Sequence, residues 1–253
     1  MTEFASSGNT HDFGNLTVSA YDPQNGNVGS STRGIFGGGH VSPAQNDTIG
    51  YITMATVGNA SDFGNLSAGR QSAGGVSNST RGIFMGGTRA ASPVVVDVIE
   101  YITIANTGNA TDFGNLSGVR TETSGASSST RGTASGGQAP GTSNIIEYIT
   151  IASTGDMTDF GNLTAARYDL ATVSNSTRGD ATDFGNLTAA RQNFAPASNS
   201  TRGLFAGGTT GSDVNTIDHI TIASTGNAAD FGDLTASKRG LIGNSDSHGG
   251  LSG

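Results

Sequence analysis

"STRGIFMGGTRAASPVVVDVIEYITIANTGNATDFGNL", residues 79–116, is the stretch on which the fold turns. "TRGIFMGG" carries an apolar pair and stops at two glycines. "VIEYITIAN" alternates, with Ile102 and Ile104 on one face and Thr103 on the other, the period-two signature of a strand. "ATDFGNL" offers Phe113 and Leu116 to a core. "QSAGGVSNS", residues 71–79, precedes these as a small, polar extended segment. The connectors "SNST" and "NTGNAT" supply the Asn, Gly and Ser that tight hairpins need. No segment holds helical periodicity over a useful length, so the unit predicts four short antiparallel strands.

The unit repeats. "DFGNL" begins at Asp12, Asp62, Asp112, Asp159 and Asp183, and "DFGDL" at Asp230. The arginine of "STRG" falls at Arg33, Arg81, Arg131, Arg178 and Arg202, and His248 holds the sixth equivalent place. The two markers give spacings of 46–50 residues with one half-length copy. Four strands per unit at this period predict a β-propeller, in which each blade chiefly contacts its neighbours. In the half unit, residues 168–187, "STRG" runs straight into "DATDFG", so the middle strand pair is missing.

Length and composition fit this reading. The chain has 253 residues with 34% hydrophobic content, and its 40 glycines bring the apolar share close to half. A formal charge of −8 argues against nucleic acid, which needs a basic stripe, and against a polybasic membrane surface. No apolar run approaches the ~18 residues that cross a bilayer. "MTEFASSGNT" has neither the basic nor the apolar part of a leader, which predicts a chain without a signal peptide. With no cysteine and four histidines at unrelated repeat positions, neither a metal site nor a cofactor is expected.

The order of apolar pair, double glycine, variable loop, "IEYITI", turn, aromatic and "LTAAR" resembles the kelch repeat. Gly86-Gly87, Tyr101 and Arg120 match that pattern, whereas Phe113 stands where kelch units carry tryptophan, which this chain lacks. "TGNATDFGNL" and "SDSHGGL" resemble repeat proteins of marine tailed bacteriophages found among virion and tail-associated proteins. The resemblance implies an all-β, kelch-like β-propeller of five four-stranded blades plus one stunted two-stranded blade. The units run over 18–66, 71–116, 121–163, the half unit 168–187, and 192–234; the last is built from 239–253 with 2–16. The N- and C-terminal strands are expected to pair and close the wheel. The alternative is a five-bladed ring with 168–187 as an extra hairpin.

Phe13, Phe63, Phe113, Phe160, Phe184 and Phe231 recur at one position and are expected in the core, with equal sensitivity at 63, 113 and 160. The repeated aspartates are read as turn residues accepting backbone N–H bonds, with calcium at some units as the alternative. Nine of eleven arginines obey the repeat, which predicts bonds between strands and units, with those aspartates as candidate partners. Asp22, Glu122, Asp169 and Asp246 are irregular acids, the only hint of a carbohydrate-active enzyme, glycosidase or sialidase-like, at the channel mouth. Function is expected where the units disagree, in the loops 40–48, 88–97, 138–144 and 209–214. His40, Arg89, Gln138 and Asp213 are the contact candidates there. The resulting expectation is a non-enzymatic virion protein of tail fibre, tail tip or capsid, present in several copies. Its expected partners are a host surface glycan or neighbouring virion proteins, with no nucleic acid and no membrane insertion.

Overall fold

The computed structural model describes residues 12–18, 27–89, 94–170, 172, 186–199 and 201–241. The expected pairing of the chain ends and most of the half unit, with Phe184 and Arg178, lie outside the described residues. Among the described residues there is no helix, and four antiparallel four-stranded sheets follow one another. The first comprises Asn27–Gly29, Arg33–Gly37, Thr48–Thr53 and Ser61–Asn65. The second comprises Gly74–Ser77, Arg81–Met85, Val98–Thr103 and Thr111–Asn115. The third comprises Ser124–Ser127, Arg131–Ser135, Ile145–Thr150 and Thr158–Asn162. The last comprises Ala195–Ser198, Arg202–Ala206, Thr216–Thr221 and Ala229–Asp233. In each, the four strands pair in chain order, as four consecutive hairpin-linked segments must.

The turns use the expected chemistry. Asn78 Oδ1 accepts the backbone N–H groups of Thr80 and Arg81, and Asn199 repeats this for Thr201 and Arg202. Asp12 and Asp159 accept from the amides of Gly14 and Gly161, the turn role predicted for the repeated aspartates. At the other end of the sheet, Gly86 and Gly87 have φ of 62° and 99°. A Cβ on Gly87 would lie 2.7 Å from the Gln71 carbonyl oxygen, so the double glycine is the only pair that fits this turn.

The core lies between sheets rather than within them. Val28, Ile35, Ile49, Phe63 and Leu66 of the first unit share one cluster with Phe84, Ile102 and Ile104 of the second. Val76, Ile83, Met85, Ile99, Phe113 and Leu116 share another with Ala134, Ile149, Ile151 and Met157 of the third. The first strands also sit side by side: Gly29 donates to Ser77 Oγ, and Ser77 to Ser127 Oγ. Small residues are needed here, because a Cβ on Gly125 would run into the Gly75 carbonyl.

Phe160 departs from expectation. Phe63, Phe113 and Phe231 are 2–3% exposed, whereas Phe160 is 41% exposed. In the first two units the ring at this position is buried by the "YITI" segment of the following unit, and the sequence of residues 168–187 has no copy of that segment. Phe13 is half-buried.

Candidate functional site

Each loop between second and third strands folds back on itself, through a two-residue ladder in the first two units and a single bridge in the other two four-stranded units. His40 pairs with Gln45, Arg89 with Val94, Gln138 with Thr142, and Asp213 with Thr209. The four contact candidates thus lie on four corresponding hairpins, His40 and Gln138 directly after the double glycine, Arg89 one residue further and Asp213 on the returning arm, each tied into its own hairpin rather than into one shared cluster. Gln138 and Asp213 are exposed, and His40 and Arg89 half-buried. Asp213 also faces Arg239 at 3.5 Å in a solvent-exposed pair, the kind of contact that salt screens.

The base of each hairpin is constant although its tip is not. Arg70, which leads from the first unit to the second, gives its N–H to the Asn46 carbonyl and accepts from Gly39 N–H. Arg120 does the same with Val96 and Gly87, Arg167 with Ser143 and Gly137, and Lys238 with Val214 and Gly208. The chain then pairs with the next hairpin, where Gln71 faces Thr88 and Arg70 faces Arg89. Every hairpin is therefore gripped by backbone bonds that do not depend on its own side chains. Neighbouring bases touch as well: Gln45 Nε2 donates to Gln71 Oε1, and Thr88 Oγ1 to Thr121 Oγ1.

Side chains complete the grip. The Arg70 guanidinium donates to the carbonyls of Gly86 and Val98 at 3.1 Å and pairs with Glu100. Arg120 donates to Gly136 O and pairs with Glu147; Arg191 donates to Phe205 O and pairs with Asp218. These pairs are essentially dry. Burial pushes the Arg70 pKa down, the Glu100 charge opposes that shift, and nearby Arg89 adds to it. Burial likewise lowers Arg120 against the pull of Glu147. The acids also accept from the residue three before the arginine, as Ser67 N–H does to Glu100 and Thr188 N–H to Asp218.

The expected aspartate partners are thus corrected: these arginines choose the acid of "IEYIT". That acid was legible only as a repeated polar residue beside an apolar one. The β-bulge opposite Ile99 and Glu100, repeated at Ile146/Glu147 and Ile217/Asp218, puts its extra residue in the fourth strand; the third strand keeps its alternation, with Ile99 packed in one core and Glu100 turned to Arg70 of the preceding junction. The "STRG" arginines behave differently again. Arg33 and Arg81 lie over the rings of Tyr51 and Tyr101 and donate to the carbonyls of Ile104 and Ile151 in the next unit. Arg131 lies over Tyr148, and Arg202 is half-buried.

Glu122 and Asp169, raised as irregular acids, have a conformational role. With Ser72 and Asn193 they occupy one repeat position, two residues after the junction arginine, at φ of 53–57°. Gly240 takes the same place with φ of 63°. Glu122 N–H donates to Ser72 O, and Gly240 N–H to Asn193 O, linking successive units. Asp22 and Asp246 lie outside the described residues. Among the described residues, no three His, Cys, Asp or Glu side chains are grouped to hold a metal ion, and no helix is long and apolar enough to cross a membrane. No protein-family model matches the chain, and no curated protein matches it significantly.

Proposed function

We propose that this chain is a non-enzymatic binding module, a kelch-like β-propeller of five full blades and one stunted blade. It serves as a tail or capsid component of a virion. Its hairpin rim contacts a host surface glycan or a neighbouring virion protein. The observation that carries the reading is the contrast within each hairpin: a constant base bonded to the next unit, and a tip whose sequence differs in every unit. A rigid scaffold with freely varying tips is the arrangement from which recognition surfaces are made. The virion assignment rests on the likeness of "TGNATDFGNL" and "SDSHGGL" to phage repeat proteins. Closure of the wheel is supported by Phe231, which is 2% exposed where Phe160 is 41% exposed. Closing the wheel would bring the sequence of residues 2–16 to the place that the "YITI" segment takes over Phe63 and Phe113. Against an enzyme stands the repeat position of Glu122 and Asp169, which serves the same turn at Ser72, Asn193 and Gly240, where it is not acidic.

A glycan array probed with the intact protein tests this. Selective binding is expected, lost when the 88–97 tip is exchanged for "QAPGTSN", with no sugar turnover. Turnover that disappears in Glu122→Gln or Asp169→Asn would transfer the assignment to a glycosidase.

A further inference from the structure

Three side chains of the first unit reach forward into the second, and the same three of the second reach into the third. The "STRG" arginine finds a carbonyl, as Arg33 does at Ile104 (2.7 Å) and Arg81 at Ile151 (3.0 Å). The repeat phenylalanine finds aliphatic side chains, Phe63 sharing a core with Ile102 and Ile104, and Phe113 with Ile149 and Ile151. The junction arginine finds an acid, Glu100 for Arg70 and Glu147 for Arg120. All three partners lie on one strand, the third of the next unit. They have one spacing: acid at i, aliphatic at i+2 and i+4, hence one face.

The third unit carries the same three groups, but the sequence that follows it has no copy of the segment that receives them. Residues 168–187 pass from "STRG" to "DATDFG" without an "IEYITI" copy. Arg131 and Arg167 are exposed, and Phe160 is 41% exposed. No described acid pairs with Arg167, although its backbone is held as those of Arg70, Arg120 and Lys238 are. We propose that this edge docks one extended strand of a partner protein carrying acidic–x–aliphatic–x–aliphatic. The acid would pair with Arg167, the aliphatic side chains would cover Phe160, and a strand carbonyl would accept from Arg131. Charge complementarity and the pattern of the filled junctions specify this occupant. A second copy is not the source, because its own strands of this pattern, Val98–Thr103, Ile145–Thr150 and Thr216–Thr221, are built into its sheets. The proposal concerns a different edge from the hairpin rim and stands independently of it.

The probe is a synthetic peptide with the sequence of residues 144–153, "NIIEYITIAS", titrated into the intact protein by fluorescence anisotropy. Saturable one-to-one binding is expected. Arg167→Gln in the protein, or the glutamate-to-glutamine change in the peptide, should each weaken it about tenfold, and the two together little more, the signature of one shared contact. Phe160→Ala and Arg131→Gln should weaken it too; all these side chains are exposed, and circular dichroism checks that the variants fold. Inserting the strand pair of residues 203–226 after Arg178 should abolish binding by filling the edge from within. No saturation at about 1 mM peptide, which is weaker than about −4 kcal/mol, overturns the proposal. So does binding indifferent to Arg167 and Phe160. Self-association released by Phe160→Ala, seen by sedimentation, would assign the edge to a second copy instead.

Discussion

Phe113 and Phe160 hold the same place in the repeat and differ only in what the next unit puts over them. Replacing Phe113 or Phe63 by alanine should therefore cost about 3–5 kcal/mol, whereas Phe160→Ala should cost less than about 1 kcal/mol. Urea unfolding of the three variants checks this. The buried pair of Arg70 with Glu100 gives a second test. Glu100→Ala leaves a buried guanidinium unpaired and should cost about 3–5 kcal/mol. Arg70→Met with Glu100→Leu should recover most of that, because neither charge then has to be desolvated. The repeat itself suggests this coupling: where Gly50 replaces the acid, Ala20 replaces the arginine. A double cycle with no coupling energy would show that the pair acts as two separate residues. The recurrence of phenylalanine was legible, but its burial at one place was not, since a repeat position says nothing about a missing neighbour.

At the level of the element, the third strand was read correctly from its alternation, and the fourth from "DFGNL". The first strand was read too long. Expected over residues 71–79, it spans only Gly74–Ser77, and Arg70–Gln71 joins the hairpin ladder instead. The break is the left-handed residue between them, Ser72 in this unit and Glu122, Asp169 or Asn193 elsewhere. Four different side chains fill that place and a glycine only at Gly240, so composition did not mark the kink. Because the conformation costs an L-residue about 1 kcal/mol, Glu122→Gly should leave stability unchanged or raise it by up to about 1 kcal/mol. A loss larger than that would mean that the Glu122 side chain itself holds the junction. The hairpins sit one strand further out. Exchanging the 88–97 tip for "QAPGTSN" keeps the backbone grip of Gly87 on Arg120, so the melting temperature should move by no more than a few degrees. The positions of His40, Arg89, Gln138 and Asp213 on equivalent hairpins followed from the repeat. That the hairpins at 88, 138 and 209 also pair with the preceding junction did not, because this pairing joins segments whose sequences share no pattern.

For the whole molecule, the proposed wheel makes a claim about residues far apart in the chain, and the register of the four sheets turns it into a distance. The second strand always opens with its arginine opposite the threonine that ends the third: Arg33 with Thr53, Arg81 with Thr103, Arg131 with Thr150, Arg202 with Thr221. In the sixth unit the arginine's place falls to His248 and the threonine's to Glu3. Facing residues of antiparallel strands have Cα atoms about 4.5–5.5 Å apart, within the span of a disulfide. The chain contains no cysteine, so Glu3→Cys with His248→Cys adds the only two thiols. Mild oxidation of the closed wheel should join them within one molecule, seen as a loss of two hydrogens by intact mass and faster migration without reductant. The link would tie off nearly the entire chain, and by loop-closure entropy should stabilise it by about 5 kcal/mol. Arg81→Cys with Thr103→Cys should form the same bond locally, and Glu3→Cys with Arg131→Cys should not form one. If the local pair oxidises while the 3/248 pair stays reduced, the units stand in an open row. The exposed edge of the third unit would then be one of two open edges rather than a single gap in a ring.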